Sequence, residues 1–486
     1  MILKELLKDV EVLEVCGDSN IEINNIHFDS RKVREKDMFI ALVGTREDGK
    51  KYIDSAINNG ACIIVSNKKP ESLIKEITYV ITKDTHDALA IIASNYYNRP
   101  SDKLKLIGVT GTNGKTSVVN LLHQLFTFLG YKCGLISTIE NVIVEERYQS
   151  THTTPDPLQI NFLLNKMVEL GCSYSFMEVS SHAIDQKRIN GLSFQLAVFT
   201  NISHDHLDYH KSFDNYISTK KIFFDNLKGE SIALVNKDDN KGEIMLQNSK
   251  ANKYSFSLKS FSDFKCRIIE SDFNGMLLNI DDYEVWVKLI GQFNAYNLLA
   301  VYSVAVLLKE DVKDILKAIS LLSSTEGRFQ IFKTNDEIVF VLDYAHTDDA
   351  LKNVISTINS IRNKDQKLIT VFGCGGDRDK LKRPLMTKVA CELSSQVILT
   401  SDNPRSEDID EIIADMLFEI NQENLAKAIV INDRKQAIKT ALTLAKRGDV
   451  ILVAGKGHEK FQEINGVKLP FDDKKEILKL INLNIN

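Results

Sequence analysis

Positions 111–116 read GTNGKT, a run of small and polar residues suited to holding the phosphates of a nucleotide. Glycines let backbone N–H groups close around phosphate oxygens, and a helix that starts there adds a favourable dipole. Lys115 can reach the terminal phosphates, and the hydroxyl of Thr116 can bind Mg²⁺. A tight loop with an exposed lysine is the alternative, because Val109 stands where the general G-x-x-x-x-G-K-[ST] pattern has its first glycine. The residues that we expect to bind ATP here are Gly111, Thr112, Asn113, Gly114, Lys115 and Thr116.

A second set of polar residues ends two apolar segments further along the chain. Glu178 and Ser180 lie at the end of the segment YSFMEVS. Asp205, His206, Asp208 and His210 lie in TNISHDHLDYH, at the end of the next apolar segment. Carboxylate and imidazole groups beside a phosphate-binding loop can complete a metal shell around ATP. Ordinary polar strand ends explain the spacing equally well, and we expect His204 and His210 to face solvent.

A strand, a loop and a helix in that order are needed to position the first set. The segment KLIGVT at 105–110 is apolar enough for a buried strand and runs directly into the glycine-rich loop. From Lys115 the segment KTSVVNLLHQLFTFLG has apolar residues at helical spacing, and Gly130 suits a C-terminal cap. Further strands are expected at YSFMEVS, LAVFTNI and IALVN. This order predicts a phosphate-binding α/β unit.

Similar alternation occupies both ends of the chain. The first hundred residues combine strands such as MFIALV and CIIVS with helical stretches such as KKYIDSAINNG, and end at the polar segment YYNRPSDK. After SSTEGRFQ, the strands IVFVLDYA, LITVFGCGG, VILTSD, AIVIND and VILVAGKG alternate with helical segments, which predicts a doubly wound, mostly parallel sheet. Ligands of such sheets bind beyond the carboxyl ends of the strands, and these strands end in DYAH, GCGGDRD, SDNPR and GKGHE. We therefore expect a binding site at that edge.

Composition narrows the class of protein. The chain has 486 residues, 43% hydrophobic and 26% charged, so about three globular domains are expected. Its 66 acidic and 61 basic side chains leave a formal net charge of -5, which argues against nucleic acid or a membrane surface as partner. No apolar run is long enough to cross a bilayer or resembles a signal peptide, so we expect a cytoplasmic protein. We also expect a monomer. The seven scattered cysteines include no C-x-x-C pair and are expected to be reduced, mostly buried thiols.

A set of motifs in a fixed order carries a resemblance to a known family. In chain order they are GTNGKT, MEVSSHA, TNISHDHLDYH, GQFNAYNLLA, EGRF, DYAHTDDAL, GCGGDRDKLKRPLM, DNPR and GKGHEKFQ. Each motif is weak alone, but together, at these separations, they resemble the Mur ligases of peptidoglycan synthesis. The resemblance covers essentially the whole chain, including FDSRKVREKDMFIALVGTREDGKKYI near the N-terminus.

The resemblance implies an α/β protein of three domains. A small N-terminal α/β domain at 1–100 would bind a uridine nucleotide, and a central P-loop ATPase domain with a mostly parallel sheet would span 101–327. A doubly wound, Rossmann-like C-terminal domain at 328–486 would bind an amino acid. The implied reaction joins meso-2,6-diaminopimelate to the D-glutamate side-chain carboxylate of UDP-N-acetylmuramoyl-L-alanyl-D-glutamate, through an acyl phosphate and at the expense of ATP.

The resemblance also implies where the uridine nucleotide and its muramoyl-peptide bind. Ser30 of the DSR motif, beside Asp29 and Arg31, matches the nucleotide site. A turn cap with a surface salt bridge is the alternative reading of these three residues. The positions implied for the muramoyl-peptide and its pyrophosphate are Thr153, Thr154, Ser180, Gln186 and Arg188.

Two Mg²⁺ ions and a lysine carbamylated by CO₂ belong to the same family pattern. The carbamylated lysine stands four residues after a tyrosine; counting from Tyr216 gives Lys220, with Lys221 as its rival and an exposed helix lysine as the alternative. An ammonium beside Mg²⁺ is repelled, whereas a carbamate offers two anionic oxygens to a hard cation. The implied metal-binding residues are Thr116, Glu178, His206 and Lys220, and the implied catalytic residues are Lys115, Glu178, His206 and Lys220.

The remaining implied residues bind ATP and diaminopimelate. Those lining the adenine, ribose and phosphates are Asn294, Asn297, Arg328, Asp343 and His346. Those binding diaminopimelate are Arg378, Asp402, Asn403, Arg405, Gly455 and Glu459. In relatives that use lysine the arginine of DNPR is absent. We expect Arg405 to bind the distal carboxylate of diaminopimelate bidentately, and L-lysine to leave this guanidinium buried and unpaired.

Two departures from the family pattern and two rival interpretations remain. Asp348 replaces a usual proline, which aspartate in a first helical turn can do, and Gln330 stands where an acid is common. The first rival is folylpolyglutamate synthase or another Mur ligase, against which DNPR and the DSR-type first domain argue. The second is a P-loop regulator that hydrolyses ATP without forming an amide.

Overall fold

The N-terminal region is built on a sheet of five strands. The computed structural model describes residues 1–44 and 47–483. The elements of this region are β1 (Val12–Cys16), β2 (Ile26–His27), β3 (Asp37–Ile40), β4 (Ala61–Ser66), β5 (Thr78–Thr82), α1 (Leu3–Leu6), α2 (Ile53–Asn58) and α3 (Thr85–Tyr96), with 3₁₀ turns at Ser30–Lys32, Gly49–Tyr52 and Pro100–Asp102. The strand order is β1-β5-β4-β3-β2, with only β1 antiparallel to its neighbour. Asp84 caps α3 by accepting hydrogen bonds from the backbone N–H groups of His86 and Asp87.

The central region contains an eleven-stranded sheet. Its strands are β6 (Lys105–Thr110), β7 (Cys133–Ile136), β8 (Glu140–Ile143), β9 (Glu146–Gln149), β10 (Tyr174–Glu178), β11 (Leu196–Phe199), β12 (Ile232–Asn236), β13 (Asn252–Ser257), β14 (Phe264–Asp272), β15 (Gly275–Ile280) and β16 (Tyr283–Val287). The order is β16-β15-β14-β13-β12-β11-β6-β10-β7-β8-β9. Strands β14 to β7 in this order pair in parallel, and antiparallel hairpins extend the sheet at both edges. The strand that precedes the glycine-rich loop, β6, therefore lies in the middle of the sheet.

Helices cover both faces of this sheet. They are α4 (Lys115–Phe128), α5 (Pro157–Glu169), α6 (Ser181–Asp185), α7 (Leu207–His210), α8 (Phe213–Asp225), α9 (Gly242–Leu246), α10 (Gln292–Leu307) and α11 (Val312–Leu321). Helix α4 buries the apolar face that its spacing predicts, including Val118, Leu122 and Leu125. Gly130 follows this helix at φ +92°, and its N–H bonds to the Thr127 carbonyl at 3.0 Å, which confirms the predicted cap.

The C-terminal region has a six-stranded sheet and a separate hairpin. Its elements are β17 (Gln330–Lys333), β18 (Val339–Asp343), β19 (Leu368–Phe372), β20 (Gln396–Leu399), β21 (Ala428–Val430), β22 (Val450–Ala454), the hairpin β23 (Phe461–Ile464) and β24 (Val467–Pro470), and the helices α12 (Asp348–Ile361), α13 (Lys382–Leu393), α14 (Ile409–Leu417), α15 (Gln422–Leu425), α16 (Arg434–Leu444) and α17 (Asp473–Leu483). The order is β17-β18-β22-β19-β20-β21, and every pair except β17 with β18 is parallel. The predicted doubly wound sheet is confirmed.

The α/β class and the central strand, loop and helix agree with expectation. The hairpins at the edges of the central sheet and the hairpin of β23 and β24 were not expected. The sequence pattern does not identify β8 and β9, β14 to β16, or β23 and β24, because they lack the long apolar run of a strand buried on both faces. Part of β14 alternates buried and exposed residues, and β9 and β24 are mostly exposed. Within the described residues, no helix has both the length and the apolar character needed to span a bilayer. All seven cysteines are free thiols, five of them buried.

Candidate active site

The glycine-rich loop joins β6 to α4 and is shaped by its neighbours. Gly111 has φ +150° and Gly114 has φ +88°, conformations that residues with a Cβ rarely adopt. A Cβ on Gly114 would stand 2.7 Å from Oδ1 of Asn297, and one on Gly111 would collide with the Thr200 hydroxyl. The side chains that follow β11 and line α10 therefore approach the loop so closely that only glycine fits at these two positions.

Lys115 is the first residue of α4 and bends back over the loop. Its Nζ donates to the carbonyl oxygens of Gly111 and Thr112, both at 2.9 Å. Desolvation lowers the pKa of Lys115, although the carboxylates of Glu178 and Asp205 oppose this. The side chain is half-buried, so the alternative of a solvated loop lysine is wrong. Its ammonium is held at the place where terminal phosphates of a nucleotide would meet the loop.

Thr116 and Glu178 meet beneath the loop. The Thr116 hydroxyl donates to Oε2 of Glu178 at 3.0 Å, and both residues are buried. The other carboxylate oxygen of Glu178 accepts from the backbone N–H of Thr138 at 2.7 Å. A hydroxyl and a carboxylate in contact are hard oxygen donors of the kind that Mg²⁺ prefers.

The five residues expected to hold the muramoyl-peptide form one hydrogen-bonded group. Arg188 donates to the carbonyl oxygen of Thr154 at 2.7 Å and to Oε1 of Gln186 at 2.6 Å. The Thr154 hydroxyl accepts from the N–H of Ser180 at 3.0 Å, and the Ser180 hydroxyl caps α6. Thr153 accepts from the Thr138 hydroxyl at 3.1 Å, which connects the group to Glu178. The structure thus brings together residues that are up to 35 positions apart, 153 to 188.

Lys220 and Lys221 have opposite environments on α8. Lys220 is 1% exposed, and its Nζ donates to the Gly111 carbonyl at 2.9 Å and lies 4.7 Å from the centre of the Tyr216 ring. Burial lowers the pKa of Lys220 well below its usual value, and the nearby ammonium of Lys115 adds to the effect. Lys221 instead forms an ion pair with Asp225 at 2.7 Å. Of these two lysines, Lys220 is the one that reaches the glycine-rich loop.

His206 lies at the same edge but does not form a ready-made metal cluster. Its Nε2 is 3.4 Å from Oδ2 of Asp205, and desolvation with help from two lysines lowers its pKa to about 4, which keeps the imidazole neutral. Within residues 1–44 and 47–483, no three His, Cys, Asp or Glu side chains are arranged to hold a metal ion. His204 is exposed as expected, but the expectation for His210 is wrong, since it is buried against the Ser181 hydroxyl at 2.9 Å. The side chain of Asp208 lies outside the described part.

Two asparagines and an arginine complete the nucleotide side. Asn294 donates to the Ile290 carbonyl at 2.8 Å, and Asn297 donates to Asn294 at 3.2 Å, so both side chains bond within the start of α10. Of the two, Asn297 is the one that closely approaches Gly114 of the loop. Arg328 comes from the C-terminal region, and its Nη2 donates to the Thr116 hydroxyl at 3.4 Å. Its guanidinium carbon also lies 4.5 Å from the centre of the Tyr344 ring.

The strand end of β18 faces this arginine. Asp343 is buried, accepts from the N–H groups of Phe329 and Ala345 at 2.8 Å each, and has its pKa raised by burial while Arg328 opposes the rise. His346 follows two residues after Tyr344, and its Nδ1 bonds to the Tyr344 carbonyl at 2.9 Å. A second hydrogen bond joins the central and C-terminal regions: Asn113 of the glycine-rich loop donates to Asp349 at 3.1 Å.

The other strand ends of the C-terminal sheet hold a compact polar group. Asp402 is buried, and burial raises its pKa. A Cβ on Gly455 would stand 2.6 Å from Oδ2 of Asp402, so the close approach requires glycine at φ +109°. Asn403 donates to Oε2 of Glu459 at 2.8 Å, and Lys456 donates to both of these side chains. Four of the six residues expected to bind diaminopimelate therefore form two close pairs, Asn403 with Glu459 and Asp402 with Gly455.

Arg405 corrects one expectation. Its Nη1 donates to the Gly376 carbonyl at 2.6 Å, and its Nε lies 3.6 Å from Oε2 of Glu463. The side chain is 22% exposed, so the expectation of a guanidinium left without partners is wrong. Its Nη2 bonds to no residue of the described part. Arg378 stands exposed in the adjoining loop, with its Cγ near Gly375.

Ser30 lies apart from both groups, in the N-terminal region. It begins the 3₁₀ turn Ser30–Lys32, and its carbonyl accepts from Asn59 at 2.9 Å. Asp29 caps this turn and forms an ion pair with Arg31 at 2.8 Å, as the cap-and-salt-bridge alternative predicts. Ser30 is nevertheless a buried residue, at 7% exposure.

Comparison with known proteins decides the family. Three Mur ligase models match the chain: the Mur ligase family catalytic domain at 22–97, the Mur ligase middle domain at 109–305, and the Mur ligase glutamate ligase domain at 327–457. A protein of Cytophaga hutchinsonii named UDP-N-acetylmuramoyl-L-alanyl-D-glutamate--2,6-diaminopimelate ligase is 49% identical over 483 residues, which cover 99% of each chain. The chain belongs to the Mur ligase family.

Other Mur ligases match over the same length. A protein of Bacteroides thetaiotaomicron with the same printed name is 49% identical over 99% of this chain and 100% of its own. A solved structure of a protein of that name has 31% identity, a TM-score of 0.71, and covers 100% of this chain and 99% of the other. The resemblance stated from the motifs is confirmed.

Both departures from the Mur ligase pattern are accommodated locally. Asp348 is the first residue of α12, which Thr347 caps by accepting from the N–H of Ala350 at 3.2 Å. An acid suits this first helical turn. Gln330 accepts from the N–H of Gly327 at 2.9 Å and so supports the turn that carries Arg328.

Three residues with close contacts to this Mur ligase site were missed by sequence reasoning. They are Thr138, Asp349 and Lys456. Asp349 and Lys456 lie inside motifs, so attention to every polar residue of DYAHTDDAL and GKGHE would have found them. Thr138 lies in an ordinary loop and carries no such signal.

Proposed function

We propose that this Mur ligase joins meso-diaminopimelate to UDP-N-acetylmuramoyl-L-alanyl-D-glutamate and converts ATP to ADP and phosphate in the process. One observation carries the proposal: the nucleotide loop and the C-terminal strand ends are directly bonded, through Arg328 to Thr116 and Asn113 to Asp349. A phosphate-binding loop and an amino-acid site in direct contact suit a reaction in which the phosphorylated group must meet an amine. The names of the relatives at 49% identity support the same activity.

Each region has a separate task in this proposal. Residues 1–100 bind the uridine nucleotide around Ser30, residues 101–327 bind ATP and the muramoyl-peptide, and residues 328–486 bind the incoming amino acid. The reaction belongs to the cytoplasmic stage of peptidoglycan precursor synthesis. The edge of the central sheet binds the group that is phosphorylated, and the edge of the C-terminal sheet binds the amine that attacks it.

The first step is attack of the D-glutamate side-chain carboxylate on the γ-phosphorus of ATP. The new O–P bond gives an acyl phosphate, and ADP leaves. Two anions approach each other in this step, so positive charge at the loop lowers the barrier. Lys115 and the loop N–H groups supply that charge, and Arg328 reaches the same place from the C-terminal region. Arg188 with Gln186 holds the muramoyl-peptide in line.

Magnesium fits the donor set at the loop. The contact between the Thr116 hydroxyl and Glu178 offers oxygen ligands, and the neutral His206 lies nearby; these residues would hold the ions together with the phosphates. Bound Mg²⁺ would neutralise charge on the phosphates. Lys220 suits carbamylation, because only a neutral amine attacks CO₂ and burial lowers the pKa of this side chain. The carbamate would place an anion next to the ammonium of Lys115.

The second step is attack of the diaminopimelate amine on the acyl carbon. A C–N bond forms, the C–O bond between the acyl carbon and the phosphate breaks, and the departing phosphate takes up the proton that the amine loses. Arg405 and Arg378 bind the distal carboxylate, and Glu459 receives the distal ammonium. The bridges between the two regions help to exclude water from the acyl phosphate.

A coupled assay of phosphate release tests the proposal. Purified protein with ATP and Mg²⁺ is expected to release phosphate only when both the uridine nucleotide and meso-diaminopimelate are present, and mass spectrometry should find the amide product. A P-loop regulator would release phosphate without either substrate. Glutamate as the preferred amino acid would instead favour a folylpolyglutamate synthase.

A further inference from the structure

Lys456 has no role in the steps above, yet its environment is unusual for a lysine. It lies after β22 in the GKGHE segment, and its side chain is 0% exposed. Burial of an ammonium is unfavourable unless it is paired and hydrogen-bonded. Its Nζ donates to Oδ1 of Asn403 at 3.0 Å and to Oε2 of Glu459 at 3.1 Å. Both acceptors belong to the proposed amino-acid site.

These contacts determine which way the Asn403 amide faces. An ammonium and a backbone N–H can only donate, and both Lys456 Nζ and the N–H of Glu463, at 3.0 Å, meet Oδ1. An ionised carboxylate can only accept, and Oε2 of Glu459 meets Nδ2 at 2.8 Å. The amide oxygen is therefore occupied on the protein side. Asn403 is buried, at 2% exposure, and in the described part of the chain the second N–H of Nδ2 has no acceptor. This N–H is the donor left for a ligand that contacts the amide.

The ammonium of Lys456 occupies one carboxylate oxygen of Glu459 and leaves the other able to accept a hydrogen bond. Oε2 accepts from both Lys456 and Asn403, whereas no described residue donates to Oε1. The Glu459 side chain is 19% exposed. The free N–H of Asn403 can bind a carboxylate, and the free oxygen of Glu459 can bind an ammonium. The pair is therefore complementary to a carbon that carries both a carboxylate and an ammonium.

We propose that Lys456 is a positioning residue that selects for the zwitterionic distal end of the incoming amino acid. It holds Asn403 as a donor toward the carboxylate and keeps one Glu459 oxygen for the ammonium. L-Lysine has the ammonium but lacks that carboxylate. Without Lys456, the Asn403 amide is free to turn its oxygen outward and Glu459 loses a cationic neighbour, and both changes favour a ligand that ends in a cation alone.

This inference rests on the proposed function, so wild-type protein is measured first with meso-diaminopimelate. If it shows no phosphate release that depends on this amino acid, the proposed function fails before any variant is compared. If it does, Lys456→Met and Lys456→Gln are compared with wild type at saturating ATP and uridine nucleotide. The readout is kcat/KM for meso-diaminopimelate and for L-lysine, with competitive inhibition constants for lysine where turnover is absent.

Lys456→Met is expected to lower kcat/KM for meso-diaminopimelate about 30- to 100-fold, as loss of hydrogen bonds to a charged group would. Its ratio of diaminopimelate to lysine efficiency should fall at least about 10-fold, while KM for ATP and for the uridine nucleotide stays within about 3-fold. Lys456→Gln retains an N–H donor without the charge, so its ratio should lie between those of wild type and Lys456→Met. Lys435→Met is the matched control, because this lysine is 61% exposed and pairs only at 3.8 Å with Glu476; it should behave as wild type.

A purely structural role gives a different result. Both amino acids would then lose efficiency by the same factor, and the ratio would stay at the wild-type value, which overturns the proposal. If Lys456→Met does not fold, as its thermal unfolding would reveal, the Lys456→Gln ratio decides, and a wild-type ratio in that variant also overturns it.

Discussion

The Nζ of Lys220 lies 2.9 Å from the carbonyl oxygen of Gly111, which places an amine of lowered pKa against the nucleotide loop. Lys221, the next residue, points instead to Asp225. This difference separates the two lysines that counting from Tyr216 could not separate with certainty.

Lys220→Ala is therefore expected to be nearly inactive in phosphate release, and Lys221→Ala to be close to wild type. Acetate should partly restore Lys220→Ala, because a short carboxylate can supply the oxygens of the missing carbamate. Rates of both variants with and without acetate, at a concentration of about 100 mM that would occupy a weak site, check this. An inactive Lys221→Ala beside an active Lys220→Ala would show that the assignment is wrong by one residue.

Lys115→Ala should abolish ligation while leaving the fold intact. Its ammonium donates hydrogen bonds to the carbonyls of Gly111 and Thr112, but its desolvation offsets much of their stabilisation, so the folded protein loses little. The terminal phosphates of a bound nucleotide would lose a cation at the loop. We expect a fall of at least about 1,000-fold in phosphate release, since charge stabilisation is the main task in phosphoryl transfer. Thermal unfolding should match wild type. Normal turnover by a folded variant would contradict the assignment of the loop.

Glu407 provides a test of pH dependence. It accepts from Arg383 at 2.9 Å, and this hydrogen bond is the main reason that its pKa is lowered from 4.5 to about 2. Because the folded pKa lies below the ordinary value, the stabilisation is complete above pH 4.5 and is lost as the pH falls through about 2. After allowance for solvent screening, Glu407→Gln should cost about 1–2 kcal/mol at pH 7.

The measurement is the thermal unfolding midpoint of wild type and Glu407→Gln from pH 7 down to about pH 3. The gap between the two proteins should narrow as the pH falls. Glu337→Gln is the control, because the pair of Glu337 with Arg447 is exposed on both sides. A gap that widens toward acid pH would contradict a lowered pKa for Glu407 in the folded protein.

The order of strand, loop and helix at the nucleotide site was predictable because it depends on residues that are adjacent in the sequence. The buried strand Lys105–Thr110, the loop and the helix Lys115–Phe128 follow one another, so periodicity and glycine placement suffice. Family motifs then point to positions such as Arg328, but not to its contact with Thr116. That contact joins residues of different sheets, and only their packing brings them together.

The partners of buried charges were not predictable. Arg434 and Asp473 form an ion pair at 2.7 Å with both side chains 0% exposed, although 39 positions and a hairpin separate them. Lys456 sits in a glycine-rich segment where an exposed lysine is the ordinary expectation. In both cases the burial of the charged side chain depends on how other elements pack over the strand ends. The spacing of residues along the sequence does not show that packing.

Arg405 has a left-handed backbone, φ +54°, and its guanidinium is already engaged by Gly376 and Glu463. Nη2 is the group left for a ligand, so in the proposed function the distal carboxylate of diaminopimelate would gain about one charge-assisted hydrogen bond here in addition to long-range attraction. Arg405→Ala should then lower kcat/KM for meso-diaminopimelate about 100-fold, the effect of about 3 kcal/mol.

L-Lysine should be used no better by Arg405→Ala than by wild type. The guanidinium keeps its carbonyl and carboxylate partners when lysine is bound, so its removal relieves little penalty and creates no new contact for an ammonium. Measuring kcat/KM for both amino acids, with ATP and uridine nucleotide saturating, separates this from the alternative. Equal diaminopimelate efficiency in the two proteins would show that Arg405 does not bind the distal carboxylate. A wild-type preference for lysine would overturn the proposed substrate, because the donors of Arg405 and Asn403 would then have no carboxylate to bind.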